Sequence, residues 1–440
     1  MWDRLLSSKR VGAESAFRSS CESRDNFHKD YDRIIFSHAF RRLSKKTQVH
    51  PLSKNDHVHN RMTHSLEVAS VGRSLGLGAG KVLKAKKIPV DPYQIAYIVQ
   101  TACLAHDLGN PPFGHAGEDV IKVWFRENVE RLPDMDETQR NDFRHFDGNA
   151  QSFRIVTQLE NYLYNGGLRL TYATLATLVK YPFSSNECKK REKSKFGYFQ
   201  SEKELFDRIF DALGLRNDDG SYRRHPLSYL MEAADDICYA LLDIEDALEL
   251  GIVRWEDVEE IFFKLTGESK VREILSSKGL PPSHLHSKII AFAITHLVDE
   301  GMETFEREYD RIVSTGLESD LVACFDNRAL REGLQEAKDF GVASIFSNRR
   351  NVELELGAYS IIKTILDALV DAACRHAQNE KLSFYQKKAL MLMGEKSPLK
   401  LRPANTYEAI QRVVDYVSGM TDNHAHHVAR QLKGVFSGVE

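Results

Sequence analysis

Apolar residues recur along most of this chain at the spacing of an amphipathic helix. The pattern is clearest over residues 93–108, 226–250 and 361–373, and we predict a helix over each of these stretches. The alternating pattern of a strand is scarce. Residues 352–356, V-E-L-E-L, are the one stretch for which we predict a short hairpin or edge strand. We therefore expect an all-α fold with at most a short β-hairpin.

Glycine and proline divide the periodic segments from one another. Both residues cluster over residues 107–117, which predicts a tight turn between two helices. They cluster again over residues 264–287, where we expect a weak seam in the fold. There is no internal repeat and no low-complexity linker, so we expect many short helices joined by loops.

Composition and charge exclude several classes of protein. The 440 residues include 60 basic and 63 acidic side chains, for a net charge of -3, and such a chain has no overall basic field to attract nucleic acid. The six cysteines form no C-x-x-C pair, which argues against a disulfide scaffold or a zinc knuckle. No apolar run approaches the roughly 18 residues that span a bilayer. We expect a cytoplasmic protein with reduced thiols and no membrane partner.

Two histidines and two aspartates together have the composition of a divalent-metal site. His106 and Asp107 are adjacent at the end of one predicted helix, His64 opens another, and Asp235 lies on the apolar side of a third. A buried carboxylate is costly unless it is paired or binds a metal. We therefore predict that these four side chains bind one ion.

Two questions about this site stay open. Asp236 is the rival of Asp235 for the fourth ligand position, and we prefer Asp235 because it shares a helix face with Tyr239 and Asp243 at spacings of four residues. These acids would otherwise be capping or salt-bridging groups. Two imidazoles and two carboxylates suit Mn, Mg, Fe, Ni, Co or Zn, of which Mn²⁺ and Mg²⁺ are favoured. An octahedral ion would keep two positions for water and a phosphate oxygen.

The order His, His-Asp, Asp resembles the HD superfamily of metal-dependent phosphohydrolases. More narrowly, the chain resembles the deoxyguanosinetriphosphate triphosphohydrolase (dGTPase) family in seven ordered blocks. The blocks are residues 41–43 (R-R-L) with 47–49 (T-Q-V), 60–65 (N-R-M-T-H-S), 106–115 (H-D-L-G-N-P-P-F-G-H), 146–151 (F-D-G-N-A-Q), 180–182 (K-Y-P), 195–199 (K-F-G-Y-F) and 232–239 (E-A-A-D-D-I-C-Y). The last 180 residues match more loosely.

The resemblance implies hydrolysis of a deoxynucleoside triphosphate, with dGTP favoured, to the deoxynucleoside and inorganic tripolyphosphate by water attack at the alpha phosphorus. It implies three regions: an N-terminal segment (1–55) that contributes to the active site, an HD core (56–250), and a C-terminal helical region (251–440) for base recognition and oligomer contacts. Members of this family form homo-oligomers, so a hexamer or tetramer is expected.

The resemblance also implies roles for individual residues. His115 and Glu118 would be the catalytic pair, with Glu118 orienting His115 and His115 handling a proton. The implied phosphate contacts are Asn149, Lys180, Tyr181 and Lys195, to which Arg61 is added for its proximity to His64. The implied sugar-reading residues are Gln48, Tyr239 and Asp243, with the tyrosine ring excluding a 2′-hydroxyl.

Two other functions remain as alternatives. The first is a general HD-type nucleotidase or phosphodiesterase, which would release orthophosphate or pyrophosphate rather than tripolyphosphate. The second is a nucleotide-sensing protein with accessory single-stranded DNA binding through the basic residues Lys81, Lys84, Lys86 and Lys87. A solvated helix face is the simpler interpretation of those lysines.

Overall fold

The computed structural model describes residues 1–12, 25–48, 58–161, 163, 165–192, 194–346, 349–400 and 402–435. Within these ranges the chain is helical and forms no β-strand, which confirms the predicted all-α class. The helices are α1 (Trp2–Leu5), α2 (Asn26–Ile35), α3 (His38–Arg42), α4 (Arg61–Ala85), α5 (Pro92–Ala105), α6 (Gly114–Asn128), α7 (Glu137–Arg144), α8 (Gly148–Arg154), α9 (Tyr172–Leu178), α10 (Lys203–Leu213), α11 (Ser228–Glu249), α12 (Glu259–Thr266), α13 (Glu268–Leu275), α14 (Pro282–Arg307), α15 (Tyr309–Ser314), α16 (Arg328–Phe340), α17 (Arg349–Ala377), α18 (Phe384–Met391), α19 (Thr406–Ser418) and α20 (Asp422–Leu432).

The predicted strand at residues 352–356 is wrong, because these residues lie within the 29-residue helix α17. Val352 and Leu356 are both exposed, and their spacing of four residues puts them on the same side of the helix. Five residues of alternating polarity are too few to distinguish a strand from a helix when their apolar side chains are exposed rather than packed in a core. The predicted helix 361–373 lies inside the same element.

Helices α4 and α5 pack with their backbones in close contact. Gly72, Gly76 and Gly80 recur every four residues along α4. A Cβ atom added at Gly76 would lie 2.8 Å from Cα of Ala96, and one added at Gly80 would lie 2.5 Å from Cα of Pro92. Because later residues of α4 meet earlier residues of α5, the two helices are antiparallel. The start of α4 therefore lies beside the end of α5.

Helix α11 packs against both α4 and α5 and completes the centre of the fold. It was predicted over residues 226–250 and forms over Ser228–Glu249, and Gly251 follows it in the left-handed region at φ +66°. The predicted helix 93–108 ends earlier, at Ala105, so that His106 and Asp107 stand in the turn that follows.

Two hydrophobic cores contain most of the buried side chains. The first surrounds α4, α5 and α11 and includes Leu265, Ile274 and Leu285, so it contains residues from both sides of the exposed stretch 276–284 within the seam expected at 264–287. The second joins α6 and α7 to α17 and α19. The predicted region boundaries at residues 55 and 250 stay a prediction. No helix in the described ranges has the length and apolar character needed to cross a membrane.

Candidate metal and nucleotide site

A cavity of about 290 Å³ opens where the ends of α4 and α5 meet the middle of α11. Every residue of the predicted site lines this cavity except Glu118 and Asp243. The lining residues are Gln48, Arg61, His64, His106, Asp107, Asn110, His115, Asn149, Lys180, Tyr181, Lys195, Asp235, Asp236 and Tyr239.

Two imidazoles and one carboxylate converge at the base of the cavity. The Nε2 atom of His64 lies 3.3 Å from Oδ1 of Asp235, and Nε2 of His106 lies 3.2 Å from the same oxygen. One ligand atom from each of the three residues lies within 4.8 Å of the others. Nitrogen and carboxylate oxygen atoms at this spacing fit a divalent cation of intermediate hardness.

Local structure orients both imidazoles toward this point. The Asn60 side chain caps α4 by accepting from the backbone N–H groups of Met62 and Thr63, which fixes the turn that contains His64. At the end of α5, Nδ1 of His106 donates to the Cys103 carbonyl over 2.6 Å. A carbonyl only accepts, so a neutral His106 presents an unprotonated Nε2 to the centre, as a metal ligand must.

Asp107 lies beside the three converging residues rather than among them. Its Oδ1 is 3.4 Å from Nε2 of His106, while Oδ2 accepts a hydrogen bond from Nη1 of Arg61 over 2.6 Å. Burial raises the pKa of Asp107, but the charges of Arg61 and then His106 lower it by more than burial raises it. The pKa of Asp107 is therefore well below its usual value. Asp107 as a fourth ligand stays a prediction.

The two neighbouring aspartates of α11 have different surroundings. Asp235 faces the imidazoles, and its Oδ2 also accepts from Nζ of Lys180 over 2.5 Å. Asp236 is paired with Lys338 of α16 over 3.1 Å. This geometry favours Asp235 over Asp236 as a ligand, in agreement with the preference based on helix faces.

His115 and Glu118 come from the start of α6, where the chain turns sharply. Phe113 and Gly114 have φ values of +64° and +60°, and a Cβ atom at Gly114 would lie 2.5 Å from Nη2 of Arg61. Glycine therefore lets the guanidinium approach the helix start. His115 reaches the cavity, where burial followed by Arg61 and Lys195 lowers its pKa.

Glu118 is buried behind the cavity and contacts lysines. Its Oε1 accepts from Nζ of Lys122 over 2.6 Å and from Nζ of Lys195 over 3.0 Å, and its Oε2 accepts from the Gly148 backbone N–H over 3.2 Å. Burial raises the pKa of Glu118, but Lys195 and Lys122 outweigh burial and lower it. In this arrangement no hydrogen bond joins Glu118 to His115.

The predicted sugar-reading residues include two buried atoms with unused hydrogen-bonding capacity. Oε1 of Gln48 and Oδ2 of Asp243 are both buried without a hydrogen-bond partner. Burial followed by the neighbouring Asp246 raises the pKa of Asp243 well above its usual value. Tyr239 lies one turn before Asp243 on α11 and lines the cavity.

Sequence reasoning missed the residues that support the site from a distance. Asp422, at the start of α20, accepts from the Phe113 N–H over 2.9 Å and from the Thr47 hydroxyl over 2.6 Å. Lys46 is buried and donates to the carbonyls of Asn110 and Ser418 over 2.6 and 2.7 Å. Lys46 stands between the two parts of the first sequence block, residues 41–43 and 47–49, but a motif does not show which distant carbonyls a lysine contacts, and Asp422 lies in the region that matches the family more loosely.

Comparison with known proteins identifies the family of this chain. The family model described as "HD domain" matches residues 61–157, so the centre of the molecule is an HD domain. The chain is 43% identical to a "Deoxyguanosinetriphosphate triphosphohydrolase-like protein" from Pseudomonas aeruginosa (strain LESB58) over 98% of each chain. It is 35% identical to a protein with the same description from Synechocystis sp. over 99% of each chain.

A more distant relative, "Deoxyguanosinetriphosphate triphosphohydrolase" from Serratia proteamaculans (strain 568), is 28% identical over 92% of this chain and 93% of its own. The chain belongs to the dGTPase family of HD-domain proteins, as the sequence blocks predicted. It is a hydrolase of that family, and its HD domain implies a divalent metal ion, which the donor set of His64, His106 and Asp235 fits.

Replacing Asp235 tests the metal centre. Asp235→Asn removes the carboxylate shared by both imidazoles, and we expect affinity for Mn²⁺ to fall at least about tenfold. Calorimetric titration of the metal-free protein with MnCl₂ measures this loss. Asp236→Asn is the matched control and should bind Mn²⁺ like the wild type. If the two variants behave in the opposite way, Asp236 is the ligand.

His59 joins the start of α4 to α11 and predicts a pH-dependent stability. Its Nδ1 lies 2.6 Å from Asp246 and its Nε2 lies 3.1 Å from Glu67. Burial lowers the pKa of His59, but the hydrogen bonds to Asp246 and Glu67 outweigh this and raise it to about 10. The stabilisation is complete below the pKa of about 6.5 of unfolded histidine, and it is lost as pH rises toward 10.

The free energy of unfolding of His59→Gln should therefore lie furthest below the wild-type value near about pH 6, and the gap should narrow by about pH 9. Urea unfolding at both pH values measures the gap. His284→Gln, at an exposed position of α14, is the control. A gap that stays constant or widens with pH would show that His59 is not a buried cation.

Proposed function

We propose that this chain is a deoxynucleoside triphosphate triphosphohydrolase that converts its substrate, with dGTP favoured, to the deoxynucleoside and tripolyphosphate. The observation that carries the proposal is that the same cavity contains both the group of His64, His106 and Asp235 and three basic side chains. The names of the relatives point to the same substrate. When bound, a divalent ion, Mn²⁺ or Mg²⁺ by preference, polarises a phosphoryl oxygen and makes water more acidic.

The basic residues are suited to a polyphosphate. Arg61, Lys180 and Lys195 line one cavity, and each would donate charge-assisted hydrogen bonds to phosphate oxygens. Tyr181 and Asn149 line the same cavity and would add a hydroxyl and an amide donor. In the free protein the three cations pair with Asp107, Asp235 and Glu118 respectively, so substrate phosphates would take over part of these contacts.

His115 is the residue we assign to proton transfer. Its lowered pKa leaves the imidazole neutral near pH 7, so a ring nitrogen accepts a proton from the attacking water. The same nitrogen would return the proton to the departing 5′ oxygen. After His115 has taken up the proton, the negative charge of Glu118 would stabilise the protonated imidazole, since that charge raises the pKa of His115.

The sugar would be recognised by Gln48 and Tyr239, which line the cavity, and by Asp243, which lies one turn after Tyr239 on α11. Oε1 of Gln48 is a buried acceptor without a partner, and a 3′-hydroxyl is a donor that would satisfy it. Oδ2 of Asp243 is also buried without a partner, and because the pKa of this carboxyl group is raised, it could donate to the hydroxyl or accept from it. The ring of Tyr239 would pack against C2′ and leave no room for a second hydroxyl, so exclusion of ribonucleotides would be steric.

The family resemblance also supports proposals about assembly and location. We propose a cytoplasmic homo-oligomer, a hexamer or tetramer, on the family resemblance. The lysines from Lys81 to Lys87 are exposed at the far end of α4, about 30 Å from His64 at the helical rise per residue. Single-stranded DNA bound there would not enter the cavity directly.

Analysis of the released phosphates tests the proposed reaction. We expect dGTP with MnCl₂ or MgCl₂ to give deoxyguanosine and tripolyphosphate in equal amounts, resolved by ion-exchange chromatography. His115→Ala, prepared identically, controls for contaminating phosphatases and should lose most of the rate. Release of orthophosphate or pyrophosphate would instead identify a general nucleotidase.

Substitutions of Tyr239 test sugar selection. Removing the ring in Tyr239→Ala should raise the kcat/KM for GTP relative to that for dGTP by about tenfold or more, because space opens at C2′. Tyr239→Phe keeps the ring and is the matched control, so it should retain the wild-type ratio. An unchanged ratio in Tyr239→Ala would exclude the steric account.

A further inference from the structure

Lys122 is a buried lysine beside the proposed catalytic pair. It lies one turn after Glu118 on α6, is 6% exposed, and does not line the cavity. Its Nζ donates to Oε1 of Glu118 over 2.6 Å and lies 3.4 Å from Oδ1 of the exposed Asp119. Lysine is rarely buried unless it is paired, so its burial implies a lasting contact with Glu118.

Glu118 therefore forms ion pairs with two lysines, although one positive charge is enough to neutralise its carboxylate. Nζ of Lys195 lies 3.0 Å from the same Oε1, and the Lys195 side chain is 29% exposed and lines the cavity. The two lysines thus differ in access: Lys122 is enclosed by the protein, whereas Lys195 can turn toward a ligand.

A second buried carboxylate accounts for the need for both cations. Asp147 caps the start of α8 and is fully buried, with Oδ1 accepting from the Asn149 N–H and Oδ2 accepting from the Phe196 N–H over 3.0 Å. Burial followed by Glu118 raises the pKa of Asp147 to about 6, while the charge of Lys195 lowers it. If Lys195 turned away and no other cation remained, Glu118 would be left as an uncompensated buried charge close to a second buried carboxyl group, at a large energetic cost.

We propose that Lys122 is a positioning residue that stays on Glu118 as its permanent counter-ion and thereby frees Lys195 to bind a substrate phosphate. This rests on the proposed function in one respect, the assignment of Lys195 to the phosphates. Lys122 touches no substrate. It sets how strongly Glu118 retains Lys195, and so how much of the charge of Lys195 is available in the cavity.

Binding of inorganic tripolyphosphate tests this division of roles without relying on turnover. Calorimetric titration of the full chain, in a constant excess of MgCl₂, gives each variant the same metal and chelation background. In Lys122→Met, Lys195 alone must compensate Glu118, and we expect tripolyphosphate to bind at least about tenfold more weakly. Arg126→Met removes an exposed cation from the same helix and should bind like the wild type.

A double-mutant cycle separates charge sharing from general damage. Glu118→Gln removes the competitor for Lys195 and should bind tripolyphosphate more tightly than the wild type. Combining it with Lys122→Met should restore binding at least to the wild-type level. A double variant as weak as Lys122→Met, or an unaltered Lys122→Met, would overturn the proposal, as would Glu118→Gln with wild-type affinity.

The cycle also stands apart from the proposed reaction. If the wild type binds tripolyphosphate and follows the cycle but hydrolyses no deoxynucleoside triphosphate, the proposed reaction fails while the role of Lys122 holds. If it releases tripolyphosphate from dGTP and the cycle fails, only the role of Lys122 is lost. Thermal unfolding of each variant confirms that the compared proteins are folded.

Discussion

The close contact between α4 and α5 is the constraint on which the site depends. Three glycines spaced along α4 remove the side chains that would hold the helices apart, so that Cα of Ala96 and Cα of Pro92 approach the α4 backbone directly. This spacing brings the N-terminal end of one helix to the C-terminal end of its antiparallel neighbour. His64 and His106 meet for that reason, and α11 needs only to cross both helices for Asp235 to reach them.

The long helices were predictable because their burial is one-sided and periodic. The match is close for α11, whose predicted and observed ends differ by two residues at the start and one at the end. The strand predicted at residues 352–356 failed because those residues belong to the exposed early turns of α17, where no packed face restricts the pattern. The spacing of apolar residues predicts a helix or a strand only where one face of the element is buried.

The cavity residues were predictable for a different reason, since most of them stand in short local motifs whose order along the chain could be recognised. The contacts among them were not. Arg61 pairs with Asp107, 46 residues away, and Asp422 reaches Thr47 across 375 residues. Such pairings follow from the packing of whole helices, and a motif carries no information about its distant neighbours. For the same reason, the sequence paired Glu118 with His115 but did not predict that Lys122 and Lys195 contact Glu118.

In the protein without substrate, the positive charges of the cavity are already paired with carboxylates of the same site. Each basic residue suited to a phosphate already lies within 3.0 Å of a carboxylate, so a polyphosphate would exchange one set of charged contacts for another. The net gain from each contact is then smaller than the contact itself, because the displaced carboxylate loses a partner. Affinity would depend on what replaces that partner, a divalent ion near Asp107 and Asp235 or a permanent cation near Glu118. Residues behind the cavity would therefore contribute to binding together with those that line it.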